Sequence, residues 1–225
     1  MFDEPGKLAM RTVQLPDPEP DEVLVDIAWS GISTGTERLL WTGDMPPFPG
    51  LSYPLVPGYE SVGVVRKAGE QCQLKPGDTV FVPGAQCYGE IRGLFGGTAS
   101  RLVVPEARIR PIRDSLGRNG ALLALAATAF HALRPTPDAT LPDLIVGHGV
   151  LGRLVARLTL ALGGEPPVVW ETLEDRRGGA SGYAVTAPEP DSRYGTIIDA
   201  SGDAAIIDQL MPVLRKQGEI VLAGF

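Results

Sequence analysis

Through the first half of the chain, apolar positions come in short bursts separated by turn residues. Val23-Leu24-Val25-Asp26-Ile27-Ala28-Trp29 partly alternates apolar with polar side chains and is rich in β-formers, which predicts a strand. Residues 61–65, 79–82 and 101–104 read in the same way. Between them stand Pro16-Asp17-Pro18-Glu19-Pro20, Pro57-Gly58, Lys75-Pro76-Gly77-Asp78, Pro83-Gly84 and Gly96-Gly97, all turn chemistry. Short strands at such spacing predict a small β-barrel or sandwich over residues 1–113.

The rhythm changes near Asp114-Ser115. Residues 121–133 form an Ala- and Leu-rich helical run, with Pro135 and Pro137 as its stop. Leu144-Ile145-Val146 is a buried strand, and 150–162 a helix closed by Gly163-Gly164. Strands follow at 168–170, 183–185 and 196–199, then a helix over 203–214 and a fifth strand over 219–223. Alternating strands and helices predict a parallel, doubly wound sheet over residues 114–225. The fold class is thus β followed by α/β.

Composition narrows the function. Hydrophobic residues make up 44%, enough for packed cores. A formal net charge of −7, with no Lys/Arg cluster beyond Arg176-Arg177, argues against a nucleic-acid surface. Cys72 and Cys87 form no C-x-x-C motif and read as reduced thiols of a cytoplasmic protein. The segment from Met1 to Gly6 lacks the basic and apolar regions of a secretion signal. No apolar run is long enough to span a membrane, so a soluble protein is expected.

The sharpest chemical signal is Gly147-His148-Gly149-Val150-Leu151-Gly152, after an apolar strand and at the start of a helix. In a dinucleotide fold the first glycine allows the tight turn and the second lets backbone approach a pyrophosphate. The third lets helix pack on strand. Free N–H groups and the helix dipole then receive the phosphate charge. Glu171, nineteen residues after Gly152, stands where a carboxylate accepts hydrogen bonds from the adenosine ribose and repels a 2′-phosphate, so NAD is expected over NADP. Arg176 is a further ribose candidate, and Ala200, Ser201 and Gly224, beside the last two strands, complete the cofactor set. The competing reading is a plain glycine-rich turn beside an exposed Glu. The His148 side chain is expected to be idle, with only its backbone used.

These residues and the N-terminal half resemble the medium-chain dehydrogenase/reductase superfamily, in which a GroES-like β-domain precedes a Rossmann domain. The resemblance runs through Glu4-Pro5-Gly6-Lys7-Leu8, Pro57-Gly58-Tyr59-Glu60-Ser61-Val62-Gly63, Lys75-Pro76-Gly77-Asp78-Thr79-Val80 and Ala127-Thr128-Ala129-Phe130-His131-Ala132-Leu133. A narrower likeness lies in the stretch from Trp29 to Gly43, in Met45-Pro46-Pro47-Phe48-Pro49-Gly50, in Arg92-Gly93-Leu94-Phe95-Gly96-Gly97 and in Trp170-Glu171-Thr172. These are similar to one branch, the 3-hydroxyethyl bacteriochlorophyllide a dehydrogenases of bacteriochlorophyll synthesis. The resemblance implies NAD-dependent oxidation of a 1-hydroxyethyl group on a chlorin ring to acetyl. It also implies that Thr128 faces the nicotinamide.

Zinc members of the superfamily carry a Cys where this chain has Ser33, a His where it has Tyr59, and a third ligand near Ala124. Only Glu60 of that set remains, and one carboxylate does not hold zinc, so a metal-free enzyme is expected. The alcohol proton must then leave through protein groups and water. Thr36 is the first candidate relay, with Tyr59 and Glu60 as alternatives. The rival readings are a helix-capping hydroxyl for Thr36 and a hydrogen-bonded structural pair for Tyr59 and Glu60. Ser33, Trp41 and Phe95 are the candidate substrate contacts, although aromatic residues, including Phe48 and Tyr53, are more often ordinary packing. His131 reads as a packed helix histidine rather than a general base.

Three departures from the superfamily pattern are expected to matter. Met1-Phe2 leaves no room for the apolar strand that usually precedes Glu-Pro-Gly, and the stretch from Glu171 to Tyr183 is short for a connecting helix. Relatives continue past the fifth strand, through a sixth strand and a return segment that are absent after Gly224-Phe225. The expected partner is a small chlorin pigment, with a homodimer as a further expectation. The alternatives are a zinc-independent quinone or enone reductase, which Glu171 disfavours, and a nucleotide-binding remnant without turnover.

Overall fold

A computed structural model describes residues 1–133 and 140–224 as two compact units, Met1–Ala124 and Leu125–Phe225. The division falls eleven residues beyond the boundary read from the sequence. The 3-10 segment Asp114–Leu122 belongs with the first unit because its Ala121 packs on Val62 and Phe81. Pro135 and Pro137, read as a helix stop, lie outside the described residues.

The first unit contains β1 (Phe2–Glu4), β2 (Lys7–Leu8), β3 (Glu22–Ser30), α1 (Thr36–Thr42), β4 (Leu55–Val56) and β5 (Ser61–Ala68). It continues with β6 (Thr79–Val82), β7 (Arg92–Gly93), β8 (Arg101–Pro105) and β9 (Arg110–Pro111). An antiparallel sheet runs β8-β3-β5-β6-β9, and a smaller one runs β2-β1-β4-β7. Alternation along β3 turns Val23 and Val25 inward, where they meet Val80, Val82, Leu102 and Ile109 in one core. The four strands read from the sequence are all present, Thr79–Val82 with the bounds expected and the other three lengthened by one to three residues. Five strands of two or three residues went unread, since so short a run shows no periodicity. One of these corrects an expectation: Phe2–Glu4 is itself a strand, paired with Lys7–Leu8 and with Leu55.

The helix α2 (Leu123–Ala132) leads into the second unit. There follow β10 (Leu144–Val146), α3 (Val150–Ala161), β11 (Val168–Trp170), β12 (Ala184–Thr186), β13 (Tyr194–Asp199), α4 (Ile206–Leu210) and β14 (Leu214–Leu222). The sheet is parallel throughout, in the order β12-β11-β10-β13-β14. This is the Rossmann pattern, in which strand order reverses beside the first strand. All three residues of β10 are buried, because both faces of the sheet are covered. Ile145, Val169 and Ile198 pack with Val155 and Ala156 of α3, while Leu144, Val146 and Ile197 pack with Ile206 and Leu210 of α4.

Two differences mark this unit. The helix expected over 203–214 is cut to five residues and a 3-10 turn containing Pro212, whose missing N–H cannot continue an α-helical ladder. The residues from Leu214 onward instead pair with β13, beginning with Leu214 opposite Tyr194, and a register shift between Tyr194 and Thr196 accommodates Gln217 at φ 65°. The crossover from β11 to β12 holds only the 3-10 turn Glu174–Arg176, in line with its shortness. Among the described residues, no helix is long and apolar enough to cross a membrane.

Candidate functional site

In the second unit the glycine turn joins β10 to α3 at the point where strand order reverses. Gly147 takes φ 92°, left-handed backbone that a side chain resists, and donates its N–H to Trp170 at 2.8 Å. A Cβ on Gly152 would lie 1.9 Å from the Gly147 carbonyl oxygen, so helix and turn meet at a distance only glycine permits. Gly149 is different. It begins α3 in extended backbone, without a side-chain cap, and a Cβ there would meet nothing within 4 Å. The start of α3 thus has no side-chain cap and open space beside Gly149, which leaves room for a pyrophosphate to approach. Val150 is half exposed at that opening, whereas Leu151 turns inward to pack against the core.

Glu171 sits at the end of β11, buried at 6% exposure. Its Oε2 accepts the N–H of His148 at 3.1 Å and its Oε1 accepts the N–H of Leu173 at 2.9 Å. Burial pushes this carboxyl up. The Leu173 and His148 N–H groups and the Arg176 and His148 charges outweigh burial and hold it below the usual carboxylate range. An ionised acceptor thus lies directly against the glycine turn. Each oxygen keeps a second lone pair for a ribose hydroxyl, so the residues fit the adenosine end of a dinucleotide.

The His148 side chain is not idle, and that expectation is corrected. Its ring, 1% exposed, places Nδ1 2.7 Å from the Arg176 carbonyl and Nε2 2.9 Å from the Tyr183 hydroxyl. Arg153 donates to the carbonyls of His148 and Gly178, and Arg177 to those of Glu171 and Thr172. Arg176 is itself solvent-exposed. Tyr183, Arg153 and Arg177 were not singled out from the sequence, because nothing in a one-dimensional pattern ties them to the turn.

The remaining cofactor candidates divide. Ala200 donates its N–H to Val146 at 2.8 Å, Ser201 donates to Asp199 Oδ1, and Gly224 donates to the Asp199 carbonyl. A Cβ on Gly147 would lie 3.0 Å from Ala200 oxygen and Ser201 Cα, and one on Gly224 would meet the Ala200 carbonyl carbon at 3.1 Å. Ala200, Ser201 and Gly224 therefore gather around the first glycine at the carboxyl ends of the strands. Thr128 is exposed on α2, as is His131, so the packed-histidine reading is also corrected.

The first unit contains a feature only half anticipated, since Glu60 was read as a relay candidate and Glu37 was not: two buried carboxylates against one turn. Glu37, on α1, is 4% exposed and accepts the Ser33 N–H. Glu60 is 5% exposed; its backbone carbonyl accepts the Gly31 N–H, and a Cβ on Gly31 would strike its Oε2. Glu60 Oε1 has no hydrogen-bond partner. Burial drives Glu37 up to about 7, against the pull of the Ser33 N–H and with added push from Glu60. Burial raises Glu60 as well. The only sequence hint for Glu37 was its place in the first turn of a short helix, where an acid is ordinary.

Around this pair, the hydroxyls of Ser33 and Thr36 belong to half-buried residues. The Thr36 N–H donates to Ser33 Oγ at 3.2 Å, and the helix cap is Gly35, so the capping role considered for Thr36 passes to Ser33. Tyr59 meets Phe95 edge-on at 5.5 Å, and Trp41 meets Phe2 at 5.6 Å. Trp41, Phe48 and Phe95 keep more than a third of their surface exposed, and Tyr53 donates to the Leu40 carbonyl. A groove of about 1180 Å³ in the same unit runs between residues 8–18 and β3, past Met10, Leu24, Ile27 and Trp29; it holds none of the candidate site residues.

Ser33, Tyr59 and Ala124 do not fit a zinc site beside Glu60, since a neutral hydroxyl, a phenol and a methyl replace soft or nitrogen donors. Among the described residues, no three His, Cys, Asp or Glu side chains group as metal ligands.

Residues 19–114 match the alcohol dehydrogenase GroES-like domain. The chain is 58% identical over 224 residues to the 2-desacetyl-2-hydroxyethyl bacteriochlorophyllide A dehydrogenase of Rhodobacter capsulatus, covering 98% of this chain and 71% of that protein. In fold it is similar to a Sinorhizobium meliloti dehydrogenase bound to NADP, with TM-score 0.80, 24% identity, and 99% and 75% of the two chains covered. It is also similar to an Escherichia coli alcohol dehydrogenase complexed with NADH, with TM-score 0.77, 21% identity, and 100% and 75% covered.

Proposed function

Since the chain belongs to the family of 2-desacetyl-2-hydroxyethyl bacteriochlorophyllide A dehydrogenases, we propose that it oxidises the 3-(1-hydroxyethyl) group of a bacteriochlorophyllide to 3-acetyl, with NAD as oxidant. The cofactor half of this reading rests on one observation. Glu171, held ionised by two backbone N–H groups, borders a glycine turn whose second glycine faces open space. A 2′-phosphate brought there would meet a buried like charge. Gly147, Gly149, Gly152, Glu171, Arg176, Ala200, Ser201, Gly224 and Thr128 are the proposed cofactor residues. Bound NAD supplies a hydride acceptor.

The reaction also needs a path for the hydroxyl proton. The donor set at Ser33, Tyr59, Glu60 and Ala124 supports a zinc-independent route. In it, Thr36 or Tyr59 passes the proton, because a hydroxyl both donates and accepts, and Glu60 takes it up. Glu60 suits that role: its unpartnered Oε1 gives a proton a place to rest, and its raised affinity makes it a better acceptor than a solvated carboxylate. Ser33, Trp41 and Phe95 are the proposed substrate contacts, the aromatic pair suiting a flat macrocycle. Titration with NAD and NADP tests the cofactor half. A turnover assay with a hydroxyethyl chlorin tests the rest.

A further inference from the structure

The crossover between β11 and β12 lacks the helix that usually joins parallel strands. Its middle is Gly178-Gly179-Ala180-Ser181-Gly182, with φ 79° at Gly179 and 81° at Gly182. Such backbone has much conformational entropy to lose, so something must hold it. Side chains from the glycine turn and α3 do so. The Arg176 carbonyl accepts from His148 Nδ1 at 2.7 Å and from Arg153 Nη2 at 3.2 Å. A carbonyl oxygen only accepts, so Nδ1 carries a hydrogen and donates it there; Nε2 lies 2.9 Å from the Tyr183 hydroxyl. One buried ring thus clasps residue 176 and residue 183, while the backbone N–H of the same residue rests on Glu171.

We infer that the His148 side chain is a positioning residue that sets how strongly the site prefers NAD to NADP, by fixing the backbone of Arg176 relative to Glu171. This rests on the dinucleotide reading of the glycine turn. The physical basis is a difference in range. Hydrogen bonds from ribose hydroxyls to Glu171 demand fixed acceptor geometry and fail steeply when it drifts. Attraction between a 2′-phosphate and an arginine falls off slowly with distance and tolerates a mobile segment. Slackening the crossover therefore penalises NAD more than NADP.

The test is calorimetric titration of the purified protein with NAD and, separately, NADP. The variants are His148→Ala, His148→Asn and Tyr183→Phe. His148→Ala is expected to weaken NAD binding roughly tenfold, the order of one hydrogen bond between fixed partners, and NADP binding by less than about threefold. His148→Asn, which returns a donor near the Nδ1 position, is expected to recover most of the NAD affinity. Tyr183→Phe, which spares the Arg176 bond, should keep the wild-type ratio. If His148→Ala does not fold, His148→Phe fills the buried slot, removes both bonds and carries the same expectation. Equal weakening of both cofactors, or an unchanged ratio in the folded variants, overturns the inference. A wild-type preference for NADP overturns the NAD reading instead; the role of His148 still stands or falls on the change of ratio.

Discussion

The backbone N–H of His148 lies 3.1 Å from Glu171 Oε2, tying the turn after β10 to the end of β11. Through this bond the residue inside the glycine turn and the proposed ribose acceptor share one geometry. A loss at either position is therefore felt at the other.

Glu171→Ala removes the buried charge and leaves the His148 and Leu173 N–H groups without their acceptor. NAD affinity should fall by about tenfold or more, while NADP affinity holds or rises, because Arg176 no longer has a competing carboxylate. Dissociation constants for both cofactors check this. Loss of affinity for both in equal measure would remove Glu171 from the selectivity role.

Two glycine variants separate folding from binding. Gly152→Ala forces a methyl to 1.9 Å from the Gly147 oxygen and should destabilise the second unit by more than about 2 kcal/mol. Gly149→Ala meets no neighbour and has ordinary φ, so its stability should stay within about 1 kcal/mol of wild type. Its methyl nevertheless stands in the approach to the helix N-terminus, so dinucleotide binding should be lost. Thermal melting and cofactor titration together check both statements.

Glu37 makes stability depend on pH in a defined direction. Its folded value, near 7, lies above the ordinary 4.5, so between those values the folded chain binds more protons than the unfolded one. Stability is therefore greatest below about pH 4.5 as far as Glu37 is concerned, and declines as pH rises through about 7. Glu37→Gln should flatten that slope and raise stability at pH 8 by on the order of 2 kcal/mol, with little change at pH 5. Denaturant midpoints across this range check it; a wild-type slope retained in the variant would place the proton elsewhere.

Glu60→Gln and Thr36→Val address the proton path. Each should lower kcat by about 10²–10⁴-fold, the usual worth of a positioned acid–base group, and leave NAD affinity unaltered. Wild-type kcat in both variants would exclude these residues as carriers.

Much of this arrangement was legible in one dimension. Leu144-Ile145-Val146, the glycine turn and the helix to Gly163 were readable because strong periodicity and glycine punctuation coincide there. Glu171 was readable because its spacing from the turn is fixed by one helix and one strand. The two-residue strands were not, since pairing rather than pattern makes them strands. Nor was the Glu37–Glu60 pair: twenty-three residues separate two ordinary acids, and only folding against the Gly31–Ser33 turn buries them together. His148 was underestimated because its partners, Arg176 and Tyr183, bracket a glycine-rich segment whose path no periodicity predicts.

The most direct test is oxidation of a 3-(1-hydroxyethyl) bacteriochlorophyllide by the purified protein with NAD, NADP and added chelator. Reduced cofactor and the red shift of the chlorin band are followed together. The expected result is one equivalent of NADH per acetyl product, a clear preference for NAD, and no loss of rate with chelator. Cofactor binding without any change in the pigment, or turnover that stops when zinc is removed, would contradict it.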